Sequence, residues 1–135
     1  MEIKIYTDGG SLNNPGPAAI AYIIYYDDKI FHKHSETIGK ATNNTAEYIA
    51  LIRAMGKIKE LLPKLPHTTK ITVFSDSNLM VNQLNGLFRV KNAAIREYIM
   101  KVRILEQEIN IPTVYQYVPR EKNFLADSLV KEKLK

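Results

Sequence analysis

The hydrophobic pattern changes its period at Thr42, and this change constrains the possible folds more than any other feature. Before it, apolar and polar residues alternate over residues 3–7, and β-rich apolar segments follow at residues 18–26 and 30–38. Turn-forming residues separate these segments. After Thr42, apolar residues recur at helical spacing as far as Leu62, where two prolines end the helix. The first part of the chain therefore predicts three antiparallel strands in a meander.

Strands and helices alternate in the rest of the chain. Strands are predicted at residues 71–74 and 112–118, and helices at 77–84, around the apolar stripe of 95–105, and at 123–134. The resulting order is βββαβααβα, without a repeat or a linker. We therefore expect an α/β fold in which a five-stranded mixed sheet, first antiparallel and then parallel, is flanked by helices. Residues 1–135 are expected to form one domain.

Composition narrows the functional classes. The formal charge of +5 fits a nucleic-acid partner, although a generally basic protein would show it too. The absence of cysteine excludes disulfides and thiolate zinc sites. The N-terminal residues are not those of a signal peptide, and the longest apolar run is too short to cross a membrane. We expect a cytoplasmic monomer without a membrane partner.

Four acidic residues stand where a predicted strand ends or a predicted helix begins: Asp8, Glu47, Asp76 and Asp127. The predicted order of elements can bring all four to one edge of the sheet. Four converging carboxylates would repel one another, and a divalent cation usually resolves such repulsion. Hard oxygen ligands suit Mg²⁺ or Mn²⁺, so the pattern indicates a metal site.

Each acid also has a purely structural explanation. Asp8 and the glycine after it are typical of a turn. Glu47 and Asn44 have the spacing of a capping box, and Asp76 is placed to cap a helix. Asp127 lies one turn into a helix, where its charge favours the helix dipole. The acids alone leave both interpretations open.

The residues around the acids form five motifs. They are Asp8-Gly9-Gly10-Ser11, Asn14-Pro15-Gly16-Pro17, Thr42-Asn43-Asn44-x-Ala46-Glu47, Phe74-Ser75-Asp76-Ser77 and Asn123-x-x-Ala126-Asp127. In this order, and over essentially the whole chain, they resemble ribonuclease H of type 1. The stretch 83–92 is similar to that of the compact bacterial and archaeal-like branch. The resemblance implies a ribonuclease H-like fold and a metal-dependent endonuclease that hydrolyses the RNA strand of RNA–DNA hybrids.

The resemblance also implies roles for individual residues. The four acids would be catalytic and would hold two divalent ions, Mg²⁺ or alternatively Mn²⁺, with Asp8 bridging both. One ion would activate a water and the other would stabilise the leaving 3′ oxygen. Nucleic-acid contacts fall into three groups. Asn14, Asn43 and Asn44 would contact the RNA strand near its 2′-hydroxyls; Thr42 and Asn92 would grip a phosphate of the DNA strand; Lys40, Arg89 and Lys91 would add backbone contacts.

Two departures from the family pattern affect these expectations. Only about 15 residues separate Asp76 from Asn92, so the basic insertion of larger members is missing and substrate affinity should be more salt-dependent. The loop before the last acid has no histidine. Arg120 is its nearest cationic substitute, and the role of Glu121 is open. The histidines at positions 32 and 34 alternate on a strand, which favours exposed positions.

Three alternative functions remain at this stage. One is a catalytically weak nucleic-acid-binding module on the same fold, since fold does not determine function. A binding module has no need of four like charges facing a phosphate backbone. The second is another ribonuclease H-like nuclease, such as a junction resolvase, but the asparagines favour RNA. The third is cleavage of double-stranded RNA as a side activity.

Overall fold

The computed structural model describes residues 1–135, and its centre is a five-stranded mixed sheet. The strands are β1 (Glu2–Ser11), β2 (Gly16–Tyr26), β3 (Lys29–Ala41), β4 (Lys70–Ser75) and β5 (Thr113–Tyr117). Their spatial order is β3-β2-β1-β4-β5. The first three strands pair antiparallel, β4 is parallel to β1, and β5 is parallel to β4. The predicted sheet is therefore confirmed, and β3 is longer than predicted because its pairing with β2 continues to Ala41.

Helices cover both faces of the sheet. They are α1 (Asn43–Leu61), α2 (Asn78–Leu84), α3 (Ala93–Ile109) and α4 (Phe124–Lys133). Residues such as Ile5 and Ile24 point to the face where α1 and α3 pack and form the main core. Ala19 and Ala21 point to the other face and contact Val130 of α4. This division follows from the alternation of side chains along a strand. None of the helices combines the length and apolar character needed to cross a membrane.

The first strand does not turn at Asp8, so the turn interpretation is wrong. Pairing with β2 continues through Gly9, opposite Ile20, and Gly10, opposite Ala19. Gly9 is required by packing: a Cβ there would lie 2.4 Å from the carbonyl oxygen of Ala46 in α1. Close contact between β1 and α1 is thus possible only without a side chain at this position.

The capping interpretations of Glu47 and Asp76 are also wrong. Thr42 caps α1, since its Oγ1 accepts a hydrogen bond from the backbone N–H of Thr45 at 3.1 Å. Glu47 therefore lies in the second turn, beyond the reach of a capping box. Ser77 caps α2 by accepting from the N–H of Met80 at 3.2 Å. Neither acid is used to begin a helix. Asp127 does lie in the first turn of α4, as expected.

Candidate active site

Three carboxylates meet where the pairing of β1 with β4 ends, directly after Thr7 and Ser75. Because these strands are parallel, Asp8 of β1 and Asp76, which follows β4, come to the same edge. The second turn of α1 brings Glu47 to them. One oxygen from each carboxylate lies within 4.8 Å of the others. Asp8 and Glu47 are buried, at 6% and 7% exposed, and Asp76 is half-buried with a side chain that is 6% exposed.

The fourth acid lies in the same groove but outside this trio. Asp127 contributes to the wall of a groove of about 560 Å³ that also contains the three other acids. Its Oδ2 forms an ion pair with Nζ of Lys131 at 3.0 Å, one turn further along α4. Sequence reasoning missed Lys131, although its spacing of four residues from Asp127 is the usual signal for such a pair.

Burial and mutual repulsion raise the pKa values of the three acids above their ordinary values. Burial, followed by the charges of Asp76 and Asp127, raises the pKa of Asp8 to about 8. Burial and the nearby Asp8 raise the pKa of Glu47 well above its usual value. Burial also raises the pKa of Asp76, against the opposing charge of Arg120. At neutral pH the site therefore retains protons that free carboxylic acids, with pKa values of about 4, have already lost.

Two carboxylate oxygens in the trio have no hydrogen-bond partner. They are Oε1 of Glu47 and Oδ2 of Asp76, and both are inaccessible to solvent. Buried polar atoms are normally satisfied, so such orphaned acceptors call for an explanation. A divalent cation that prefers oxygen ligands would bind these two oxygens and neutralise the repulsion between the carboxylates. The residues therefore fit a metal site of the Mg²⁺ type.

The side chain of Arg120 is the nearest cation to the trio. Its Nε lies 3.9 Å from Oδ2 of Asp76, and its side chain is 73% exposed. It belongs to a short 3₁₀ helix, Arg120–Lys122, in which Glu121 is exposed and does not line the groove. The cation predicted for this loop is therefore beside the acids, whereas Glu121 is not.

Two of the three predicted RNA-contacting asparagines also hold the groove together. Oδ1 of Asn14 accepts from the backbone N–H of Asn43 at 2.9 Å, and Oδ1 of Asn43 accepts from that of Ser11 at 2.8 Å. These bonds connect the β1–β2 loop to the start of α1. Asn43 and Asn44 line the groove, and Oδ1 of Asn44 is buried without a partner. The bond to Ser11 was not anticipated from the sequence.

The other predicted nucleic-acid contacts lie outside the groove lining. Thr42 and Asn92 are helix caps, and Oδ1 of Asn92 accepts from the N–H of Ile95 at 3.1 Å. Their oxygens are occupied by capping, while the hydroxyl proton of Thr42 and the amide Nδ2 of Asn92 stay available as donors. The three basic residues are exposed: Lys40, Arg89 and Lys91.

Asn123 supports the site through the backbone of β1. It is 1% exposed, and its Nδ2 donates to the carbonyl oxygen of Thr7 at 2.8 Å, which connects the start of α4 to β1. The motif around Asp127 included this residue, but no role was predicted for it. The bond fixes the backbone next to Asp8.

The histidines do not take part in the site. His32 and His34 lie on β3 with their rings 5.9 and 5.4 Å from that of Tyr22. Both residues are half-buried, and the side chain of His34 is 41% exposed.

This chain is similar to known proteins both in sequence and in fold. The sequence pattern of the RNase H family matches residues 1–135. Ribonuclease HI of Halobacterium salinarum is 34% identical over 133 residues, covering 98% of this chain and 64% of that protein. A bifunctional protein of Mycobacterium tuberculosis is 32% identical over 134 residues, covering 98% of this chain and 35% of that protein. The chain thus spans between about a third and two thirds of these curated relatives.

Solved structures give the same result. LC11-RNase H1, crystallised in complex with an RNA/DNA hybrid, superimposes with a TM-score of 0.89 at 40% identity, over 96% of this chain and 94% of that one. The RNase H1 of Halobacterium salinarum superimposes with a TM-score of 0.89 at 33% identity, over 99% and 98% of the two chains. The family match over all 135 residues and these likenesses show that the chain belongs to the RNase H family and is of the RNase HI type.

Proposed function

We propose that this chain is a metal-dependent endonuclease that hydrolyses the RNA strand of RNA–DNA hybrids. The observation that carries the proposal is the trio Asp8, Glu47 and Asp76, in which one oxygen from each carboxylate lies within 4.8 Å of the others. Two buried oxygens of the trio, Oε1 of Glu47 and Oδ2 of Asp76, have no hydrogen-bond partner. Buried carboxylates are unfavourable unless they are paired or bind a metal, and such groups are typical of functional sites. A fold that only binds nucleic acid gains nothing from acids placed against a phosphate backbone.

The four acids are proposed to be catalytic and to hold two divalent cations, Mg²⁺ in the first place and Mn²⁺ as an alternative. The chemistry that such ions supply when bound is Lewis acidity, which favours attack by water and neutralises charge on the scissile phosphate and the leaving 3′ oxygen. Asp8, within β1, and Asp76, directly after β4, would form the part of the ligand set that the sheet holds. Asp127 must exchange its ion pair with Lys131 for the role of a ligand.

Residues around the acids are proposed to select the substrate. Asn43 and Asn44 line the groove, and their amides can both donate to and accept from a 2′-hydroxyl, which only the RNA strand has. Asn14 supports Asn43 through its hydrogen bond and would contact the same RNA strand. The neighbouring LC11-RNase H1 binds an RNA/DNA hybrid, which supports the same substrate here.

Further contacts are proposed for the DNA strand and for a phosphate beside Arg120. The free donors of Thr42 and Asn92 would bind a DNA phosphate, with Lys40, Arg89 and Lys91 adding backbone contacts. Arg120 stays protonated at all usable pH values, so it can hold a phosphate but cannot transfer a proton. We also propose that residues 1–135 act as one domain, because helices pack on both faces of a single sheet, and that the protein is a monomer.

One gel assay tests the proposal. Labelled RNA–DNA hybrid, double-stranded RNA and double-stranded DNA are each incubated with Mg²⁺, Mn²⁺ or EDTA. We expect cleavage of the RNA strand of the hybrid with either metal and none in EDTA. Cleavage of double-stranded RNA at a comparable rate would contradict selectivity for the hybrid. Cleavage in EDTA would contradict the metal-dependent mechanism.

A further inference from the structure

A second groove lies beside the catalytic one and is lined by lysines. It has a volume of about 560 Å³, and Lys40 at the end of β3 lies in its wall together with Lys133 and Lys135 at the end of α4. We call it the lysine groove. Leu134 lines both this groove and the catalytic one. The two grooves are therefore adjacent on the surface, with the side chain of Leu134 between them.

The two grooves differ in charge. The catalytic groove contains four carboxylates, and its two cations are used locally, since Lys131 pairs with Asp127 and Arg120 faces Asp76. No acidic side chain lines the lysine groove, and none of its three lysines takes part in an ion pair. A polyanion that crosses the catalytic groove is repelled there and attracted immediately beside it.

Packing holds the lysine groove in a fixed place relative to the acids. Leu134 packs with Val130 against Ala19 and Ala21 of β2, which anchors the end of α4 to the sheet. Lys133 and Lys135 flank this anchor, and both are exposed. Positive charges at the end of a helix also favour its dipole, but that effect requires no groove and no contribution from β3.

We propose that the lysine groove binds backbone phosphates of the same duplex whose scissile phosphate lies among the acids. This inference rests on the proposed function and adds to it a contact surface that compensates for the missing basic insertion. Because the groove adjoins the catalytic one at Leu134, the phosphates that it binds belong to the part of the duplex beyond the cut. Its contribution is sequence-independent and depends on salt, as expected when lysines displace counterions from phosphates.

The test compares two double variants that lose the same charge. Lys133→Ala with Lys135→Ala removes two cations of the lysine groove. The control, Lys64→Ala with Lys70→Ala, removes two exposed lysines before and at the start of β4, far along that strand from Asp76. Binding of a labelled RNA–DNA hybrid is measured by fluorescence anisotropy in EDTA, between about 50 and 200 mM salt. Circular dichroism establishes that both variants fold.

We expect the slope of log K against log salt to fall by about 0.9 for each lost contact, hence by about 1.8 in the lysine-groove variant and by little in the control. Equal slopes in the two variants would overturn the inference. The proposed function is tested separately by cleavage with wild-type protein. Cleavage together with an unchanged slope would reject only the lysine groove. A lysine-dependent slope without cleavage would reject the endonuclease and leave the groove standing.

Discussion

At the scale of single residues, the carboxylates of Asp8, Glu47 and Asp76 repel one another across gaps of at most 4.8 Å. Burial is the larger cause of their raised pKa values, and the neighbouring charges add to it. The same arrangement that suits cations therefore destabilises the protein without them. Substitutions at these positions are expected to have opposite effects on activity and on stability.

Replacement of Asp8 by asparagine tests this opposition. Asp8→Asn keeps the shape of the side chain but removes its charge, so cleavage of hybrid should fall by roughly a hundredfold or more. In EDTA at pH 9 the variant should be more stable than wild type by on the order of 2 kcal/mol, because one repelling charge is absent. Cleavage and urea unfolding measure the two effects. Near-normal turnover by the folded variant would exclude Asp8 from the reaction.

Asn43 and Asn44 are adjacent but have different roles. Oδ1 of Asn44 has no partner within the protein, so Asn44→Ala should leave the melting temperature nearly unchanged and lower hybrid cleavage by about tenfold, the value of one hydrogen bond. Asn43→Ala loses its bond to Ser11 and should cost about 1 kcal/mol of stability as well. Thermal unfolding and cleavage rates separate the two. Equal melting temperatures for both variants would contradict this division.

At the scale of secondary structure, the contact between β1 and α1 places Glu47 beside Asp8. Gly9 permits this contact because its Cα faces the carbonyl of Ala46. Asn123 connects the start of α4 to the same strand through Thr7. Two helices are thus positioned on the last residues of β1, and the geometry of the acids depends on both connections.

Two glycine substitutions test the packing of α1 on β1. Gly9→Ala forces the helix away from the strand and should destabilise the protein by about 2 kcal/mol, the usual cost of overpacking. Gly56→Ala, in the exposed middle of α1 with open space around it, should instead stabilise by about 0.5 to 1 kcal/mol. Urea denaturation of both variants measures this difference. If Gly9→Ala were as stable as wild type, the close contact would not be required.

At the scale of the whole molecule, the raised pKa of Asp8 makes global stability depend on pH. The folded protein keeps a proton on Asp8 up to about pH 8, whereas the unfolded chain loses it near 3.8. The folded state therefore binds more protons in this interval, and the free energy of unfolding falls as pH rises through it. Above pH 8 the loss from this group is complete.

Metal-free protein should consequently become less stable between pH 7 and 8, by up to about 1.4 kcal/mol per pH unit for one group. This interval lies above the ordinary pKa of histidine, and the lowered pKa of His32 acts only below it. Unfolding in EDTA at several pH values measures the slope, and Asp8→Asn should reduce it. Mg²⁺ should restore stability at pH 8, because ligand binding favours the folded state. Constant or rising stability in EDTA would contradict the pKa shift.

Local patterns in the sequence determined the order of elements, the sheet and the positions of the acids near element ends. Period-two and helical spacing depend on neighbouring residues only, so they can be read without a structure. The family motifs then led to ribonuclease H of type 1, which the comparisons confirm. The turn interpretation of Asp8 is wrong because β1 continues to pair with β2 beyond it, and the capping box of Glu47 is wrong because Thr42 caps the helix instead.

Contacts between distant segments were decided only by the tertiary structure. The sequence does not show that Gly9 faces Ala46, that Asn43 bonds Ser11, or that β1 continues beyond Asp8. Each of these depends on which faces of two elements meet, and local propensity carries no information about that. For the same reason the groove shared by the ends of β3 and α4 became visible only after the elements were packed.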